Sequence, residues 1–245
     1  MSPAERDALL NNIALRSFRD VADGDYILAR LAYRADLISQ ALWSSQQAIE
    51  KYIKCILLLR RVEWNKPCHS LLKPLKKLEG QFQLQVSAET REFMEYIDKY
   101  GPDRYFMFPY YADGLEIAKL DRAVWEIRRY CIPYNGGRSP RGTPIEGLDI
   151  KHIEDAASRP PQAYRSLCPG PLDALVKGKR NTLARAALIK YNLYFGSSRR
   201  KSVRIMQRSQ SANSLLALYP EIAVDLGKYV YLPKELRQAP ASGSP

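Results

Sequence analysis

An all-α fold is what this sequence of 245 residues predicts, on three observations. Apolar residues recur at three- and four-residue spacings from Asp25 to Tyr130, and no segment sustains two-residue alternation between turn signals. The breakers Pro and Gly crowd together between Pro133 and Pro171, outside those stripes. The expected organisation is a helical bundle over 1–132, a Pro/Gly-rich linker or arm over 133–170, a basic and mainly helical extension over 171–237, and a disordered tail over 238–245.

The first predicted helix runs from Asp25 to about Leu37, with Tyr26, Ala29, Tyr33 and Leu37 on one stripe and Arg30 and Arg34 nearer its boundary. A break near Leu37–Ser39 folds the chain into a hairpin. Leu42, Ile49, Ile53, Ile56 and Leu57 then share the face of a second helix, flanked by Glu50, Lys51 and Lys54. Leu71, Leu72, Leu75 and Leu78 mark a third. Ser87 opens a fourth, with Glu89 and Glu92 near its positive end, and Gly101-Pro102 stops it. The run Leu115–Tyr130 makes a fifth. Beyond the linker, helix returns at about Pro171–Phe195 and around Lys201–Leu218, with one more short helix within Tyr219–Leu232.

Hydrophobic residues make up 46% of the chain and charged residues 26%, a balance that suits a folded globular protein. No apolar run reaches the roughly 18 residues of a membrane span, and the first residues carry no signal-peptide core, so the expectation is a cytoplasmic protein with no membrane partner. Cys55, Cys68, Cys131 and Cys168 are scattered, and His69 and His152 are the only histidines, so no metal or cofactor is expected. Cys55 reads as a buried small hydrophobe and the other cysteines as reduced surface thiols.

Charge is unevenly placed. Ten basic and no acidic residues lie between Lys177 and Arg208, leaving only two units of the net +12 for the rest of the chain. Positive charge interleaved with Tyr191, Tyr194 and Phe195 suits an RNA partner, with phosphates on the cations and unpaired bases on the rings. An acidic partner protein is the other reading of the same charge.

The stretch Gln46-Gln47-Ala48-Ile49-Glu50-Lys51-Tyr52-Ile53-Lys54 resembles the second helix of the HEPN family, whose pattern there is Q-Q-A-x-E-K-x-x-K. Three further pieces agree in order: Asp25-Tyr26 with Ala29-Arg30, His69-Ser70-Leu71, and Arg104-Tyr105. The resemblance covers roughly residues 15 to 131. It implies a four- or five-helix up-and-down bundle, commonly homodimeric, in a family with many metal-independent ribonucleases, members in toxin–antitoxin and phage-defence systems, and non-catalytic members that bind nucleotides or proteins.

The family's catalytic pattern is Arg, four to six residues, then His, and neither His69 nor His152 has an Arg at that distance. Arg104 is followed there by Pro109, Tyr110 and Tyr111. A phenol with an ordinary pKa of about 10 is poorly matched to general acid–base work at neutral pH. The expected function is therefore binding of nucleotide or nucleic acid, RNA foremost, through Lys51, Lys54, Lys190, Tyr194, Arg199, Arg200, Lys201 and Arg204. The alternatives are a metal-independent ribonuclease variant using Arg104 and Tyr110, and a protein-binding accessory or antitoxin-type module.

Overall fold

The computed structural model describes residues 1–64, 70–82, 84–101, 109–133, 170–180, 182–195, 202 and 210–232. His69, Cys68, Arg104, nearly all of the expected linker, Cys168, Arg199, Arg200, Lys201, Arg204 and the C-terminal tail lie outside the described residues.

The first helix begins earlier than its apolar stripe. α1 (Pro3–Ile13) starts on a capping box in which Ser2 Oγ accepts from the Glu5 N–H and the Glu5 carboxylate accepts from the Ser2 N–H, with Pro3 at the first helical position. It runs through a π-helical segment, Ala14–Arg19, into α2 (Asp20–Arg34). None of the described α1 side chains is buried, which is why no stripe announces it. The core face starts at Ala14 and Leu15, inside the π segment.

α2 ends in a Schellman turn. Leu37 N–H donates to Ala32 O at 2.9 Å and Asp36 takes a left-handed φ of 58°. The turn sends α3 (Ile38–Leu59) back along α2, and α3 ends in the same way, with Val62 N–H on Leu57 O at 2.8 Å and Arg61 at φ 55°. α4 (Leu72–Gln81) opens where the Leu71 N–H donates to Asp98 Oδ2 at 2.7 Å. α5 (Ala88–Tyr100) starts on Ser87, whose hydroxyl accepts from the Thr90 N–H. The predicted hairpin, the Ser87 cap and the stop at Gly101 are all present.

α6 (Glu116–Arg128) begins on a turn in which the Glu116 carboxylate accepts from the Asp113 and Gly114 N–H groups and from the Tyr33 hydroxyl, tying its start to α2. Gly114 sits at φ 83°, a conformation that costs a glycine little. Tyr26, Ile49, Tyr52, Ile53, Phe93, Met94 and Val124 fill the space between α2, α3, α5 and α6. Cys55 is buried as expected. Cys131, expected at the surface, is buried too, with its Sγ 3.6 Å from Tyr52 O. It falls just past α6, where the chain turns back onto α3.

The extension joins the same core. α7 (Pro171–Lys177) and α8 (Leu183–Ile189) replace the single long helix expected over Pro171–Phe195, and Leu172, Leu188 and Phe195 are buried among the bundle's apolar residues. β1 (Tyr110–Ala112) and β2 (Gln210–Ala212) form a short antiparallel pair, Tyr110 opposite Ala212. The helix expected around Lys201–Leu218 is therefore cut by a strand at Gln210, and α9 covers only Leu215–Leu218. A 3-10 turn, Pro220–Ile222, leads into α10 (Ala223–Leu226). Among the described residues the rest is helix and turn, an all-α bundle, and no described helix is long and apolar enough to cross a membrane.

Candidate functional site

Four charged residues organise the face on which the extension sits. α2 carries Asp23 and Arg30 seven positions apart, and α6 carries Asp121 and Arg128 seven positions apart with the charges in the same order. Seven residues are close to two helical turns, so each pair lies along one face. The two helices run antiparallel, which sets Asp23 against Arg128 and Arg30 against Asp121.

Both ion pairs are buried and both are extended by hydrogen bonds. Asp23 accepts from Arg128 Nε at 2.6 Å and Nη2 at 2.8 Å, from the Tyr52 hydroxyl at 2.7 Å and from the Leu172 N–H at 3.3 Å. Asp121 accepts from the Arg30 guanidinium and, at 2.6 Å, from the Tyr26 hydroxyl. Burial pushes the Asp121 carboxyl up, opposed by the attraction of Arg30 and its hydrogen bond. Burial likewise pushes the phenols of Tyr26 and Tyr52 well above their usual range, with the neighbouring carboxylates adding to the effect.

The remaining donors of Arg30 reach the extension. Its Nε donates to Ala187 O at 2.7 Å and its Nη2 to Lys190 O at 2.6 Å. Ala187 O lies in the last turn of α8 and Lys190 O just past its end, and neither has a partner inside that helix. At the other end, the Leu172 N–H in the first turn of α7 finds Asp23. The two buried charges of α2 thus satisfy the opposite ends of two helices from the other end of the chain. Asn192 completes the dock: its Nδ2 donates to the Tyr26 hydroxyl at 2.8 Å and to Leu188 O at 2.9 Å, while its Oδ1 accepts from the N–H groups of Tyr194 and Phe195.

Two points of the extension are fixed on the bundle: Phe195, whose ring lies 5.7 Å from Tyr26 and 6.1 Å from Trp125, and Gln210, which pairs with Ala112 of β1. Between those points the sequence holds Arg199, Arg200, Lys201, Arg204 and Arg208. Trp125, within α6, and Ala112, just before it, lie beside the two attachment points. Along α6 lies a cleft of about 400 Å³ against α5, lined by Glu89, Glu92, Phe93, Tyr96, Lys119 and Arg122. Arg122 pairs with Glu89 at 3.0 Å and Lys119 with Asp113 at 2.8 Å, so the cleft carries both signs of charge.

The sequence-predicted residues divide between two places. Lys51 and Lys54 lie on α3, where Lys51 donates to Asp25 at 2.6 Å and to Gln47 at 3.2 Å, and Lys54 pairs with Glu50. Both pairs are internal to the bundle's surface. Lys190 and Tyr194 lie on the docked turn. Tyr194 accepts from Arg122 Nε at 3.2 Å and packs 5.9 Å from Trp125. Lys190 stands over Tyr191, its Nζ 5.3 Å from the ring centroid. Tyr110 is half-buried on β1. Arg30, Arg122 and the pair Asp23–Arg128 were not singled out by sequence reasoning, although the matched seven-residue Asp/Arg spacing on the two helices was a readable signal.

The family model described as HEPN domain matches residues 15–128. No curated protein and no solved structure matches the chain.

Proposed function

The N-terminal half of this chain is a HEPN domain, which relates it to nucleotide- and RNA-associated functions in general, and from that premise we propose that it is a cytoplasmic, homodimeric RNA-binding protein. The single observation that supports the reading is the acid-free basic segment: ten cations between Lys177 and Arg208, held to the domain at Phe195 before the densest cluster and at Gln210 after it. Because the chain is fixed on the domain at Phe195 and at Gln210, those two points have less freedom to lose on binding than a free tail has, so more of the phosphate attraction becomes affinity. Lys51 and Lys54, already paired on α3, contribute less than the extension.

The test is RNA binding to the full chain measured by fluorescence anisotropy across a salt series. Neutralising Arg199, Arg200 and Lys201 together to Gln is expected to weaken binding by roughly ten-fold or more at low salt and to flatten the dependence of log K on log salt by about two. Affinity and slope that stay at the starting values would sink the proposal.

A further inference from the structure

We infer that Tyr191 is a stacking platform for an unpaired base of single-stranded RNA, with Lys190 beside it for the adjoining phosphate. The inference rests on the RNA-binding reading above and gives it a defined contact outside the cluster Arg199–Lys201.

Tyr191 takes a φ of 57°. Lys190 before it is extended at φ −72°, ψ 122°, and extended followed by positive φ is the pattern of a type II turn, whose third position ordinarily holds Gly or Asn. A bulky aromatic residue is an outlier in that region and is strained there. A glycine would make the same turn without that cost, so the tyrosine ring has to be accounted for by something it does.

Two other described non-glycine residues have left-handed backbones, and each uses its side chain within the chain. The Arg61 guanidinium donates to Asp7, Asn11 and Leu58 O, and Asp36 accepts from Gln210 Nε2 at 3.4 Å. Tyr191 differs. Its residue surface is 50% exposed, and Lys190 is the one ionic or aromatic partner of its ring among the described residues. The Lys190 ammonium makes no ion pair among those residues.

The turn is nevertheless held hard from beneath. Arg30 grips Lys190 O at 2.6 Å on one side, and Asn192, nearly fully buried, makes hydrogen bonds to Tyr26, Leu188 O and the amides of Tyr194 and Phe195 on the other. The neighbouring rings are not available in the same way. Phe195 is buried and Tyr194 is committed to Trp125 and Arg122. The core thus presents the Tyr191 ring on this turn, with the Lys190 ammonium over it and without an ion pair among the described residues, inside the most basic part of the sequence. Base–aromatic stacking tolerates any base and needs an unpaired one, so the class of ligand is single-stranded nucleic acid.

The experiment compares the full chain with Tyr191→Gly and Tyr191→Phe, using a fluorescein-labelled mixed-sequence 12-nucleotide RNA and the same strand annealed to its complement. Glycine is at ease at this φ, so Tyr191→Gly is expected to keep or raise the thermal midpoint while weakening single-strand binding by roughly ten-fold. Duplex affinity and the salt slope should hold, and Tyr191→Phe should restore the single-strand affinity. Single-strand affinity unchanged in Tyr191→Gly, or an equal loss on duplex, overturns the inference and leaves the RNA-binding proposal standing. A parent protein that binds neither RNA at 50 mM salt overturns both.

Discussion

Asp23 and Arg128, 105 positions apart in sequence, meet in a two-pronged ion pair of 2.6 and 2.8 Å with Tyr52 and the Leu172 amide closing around it. Because the carboxylate is shared by α2, α3, α6 and α7, its loss is felt in four helices at once. Removing one member of a buried pair leaves the other desolvated and unpaired, at a cost of about 3–5 kcal/mol. Asp23→Asn is expected to lower the unfolding free energy by that amount in urea titrations. Arg61→Ala, which breaks an exposed pair with Asp7, should cost under about 1 kcal/mol. Equal losses would refute this ranking.

Arg30 makes a separate prediction, because it holds carbonyls. Arg30→Met keeps the volume and removes every donor, so α8 loses its grip on the bundle. Amide exchange across 183–195 should accelerate far more than exchange across α3, and the protein should be cut sooner by protease in that stretch. Uniform acceleration in both regions would show that the extension is not separately held by this side chain.

Gly101 offers a steric test. A Cβ there would lie 2.5 Å from Ile97 O and 2.7 Å from the Gln46 Cβ. Gln46 is buried in the middle of α3, and the atom met is its Cβ, which is fixed to the helix backbone. Gly101→Ala should cost about 1–3 kcal/mol through the forced separation of α5 from α3, read as a shift of the urea midpoint. Gly80→Ala, which meets open space, should not destabilise.

Asp113 supplies a pH dependence. Its burial alone would raise the carboxyl pKa, yet the hydrogen bond and charge of Lys119 and the Leu115 N–H outweigh it and the value is lowered. A folded pKa below the unfolded one means that the stabilisation is present above the ordinary Asp range of about 3.9 and is lost as pH falls through the lowered value. Asp113→Asn should therefore be less stable than the parent at pH 6, and the gap should close as pH approaches 3. A gap that widens on acidification would reverse the sign.

The helices of the bundle were legible because each has an apolar stripe of helical period and several carry a readable boundary, such as Ser87 before α5 and Gly101 after it. α1 was not legible, since it lacks a buried stripe. Arg30 was read as a boundary residue because a guanidinium on an apolar face ordinarily escapes to water. Here its partners come from Ala187 and Lys190, at the other end of the chain, and local pattern carries no information about them. For the same reason the split of Pro171–Phe195 into two helices was hidden: the ends are stabilised by side chains of α2. Of the candidate site, the sequence marked the cations and rings as a group. It did not separate the half-exposed Tyr191 from the buried Phe195, because that difference depends on a single left-handed residue.

The grip of Arg30 on Ala187 O and Lys190 O has a consequence for how this protein can change. The bonds are made to main-chain oxygens, which every amino acid supplies, so the attachment of α8 does not depend on which side chains point outward from it. The outer surface of the docked turn can be rewritten residue by residue, for a different ligand or a different charge, while the joint beneath it stays the same.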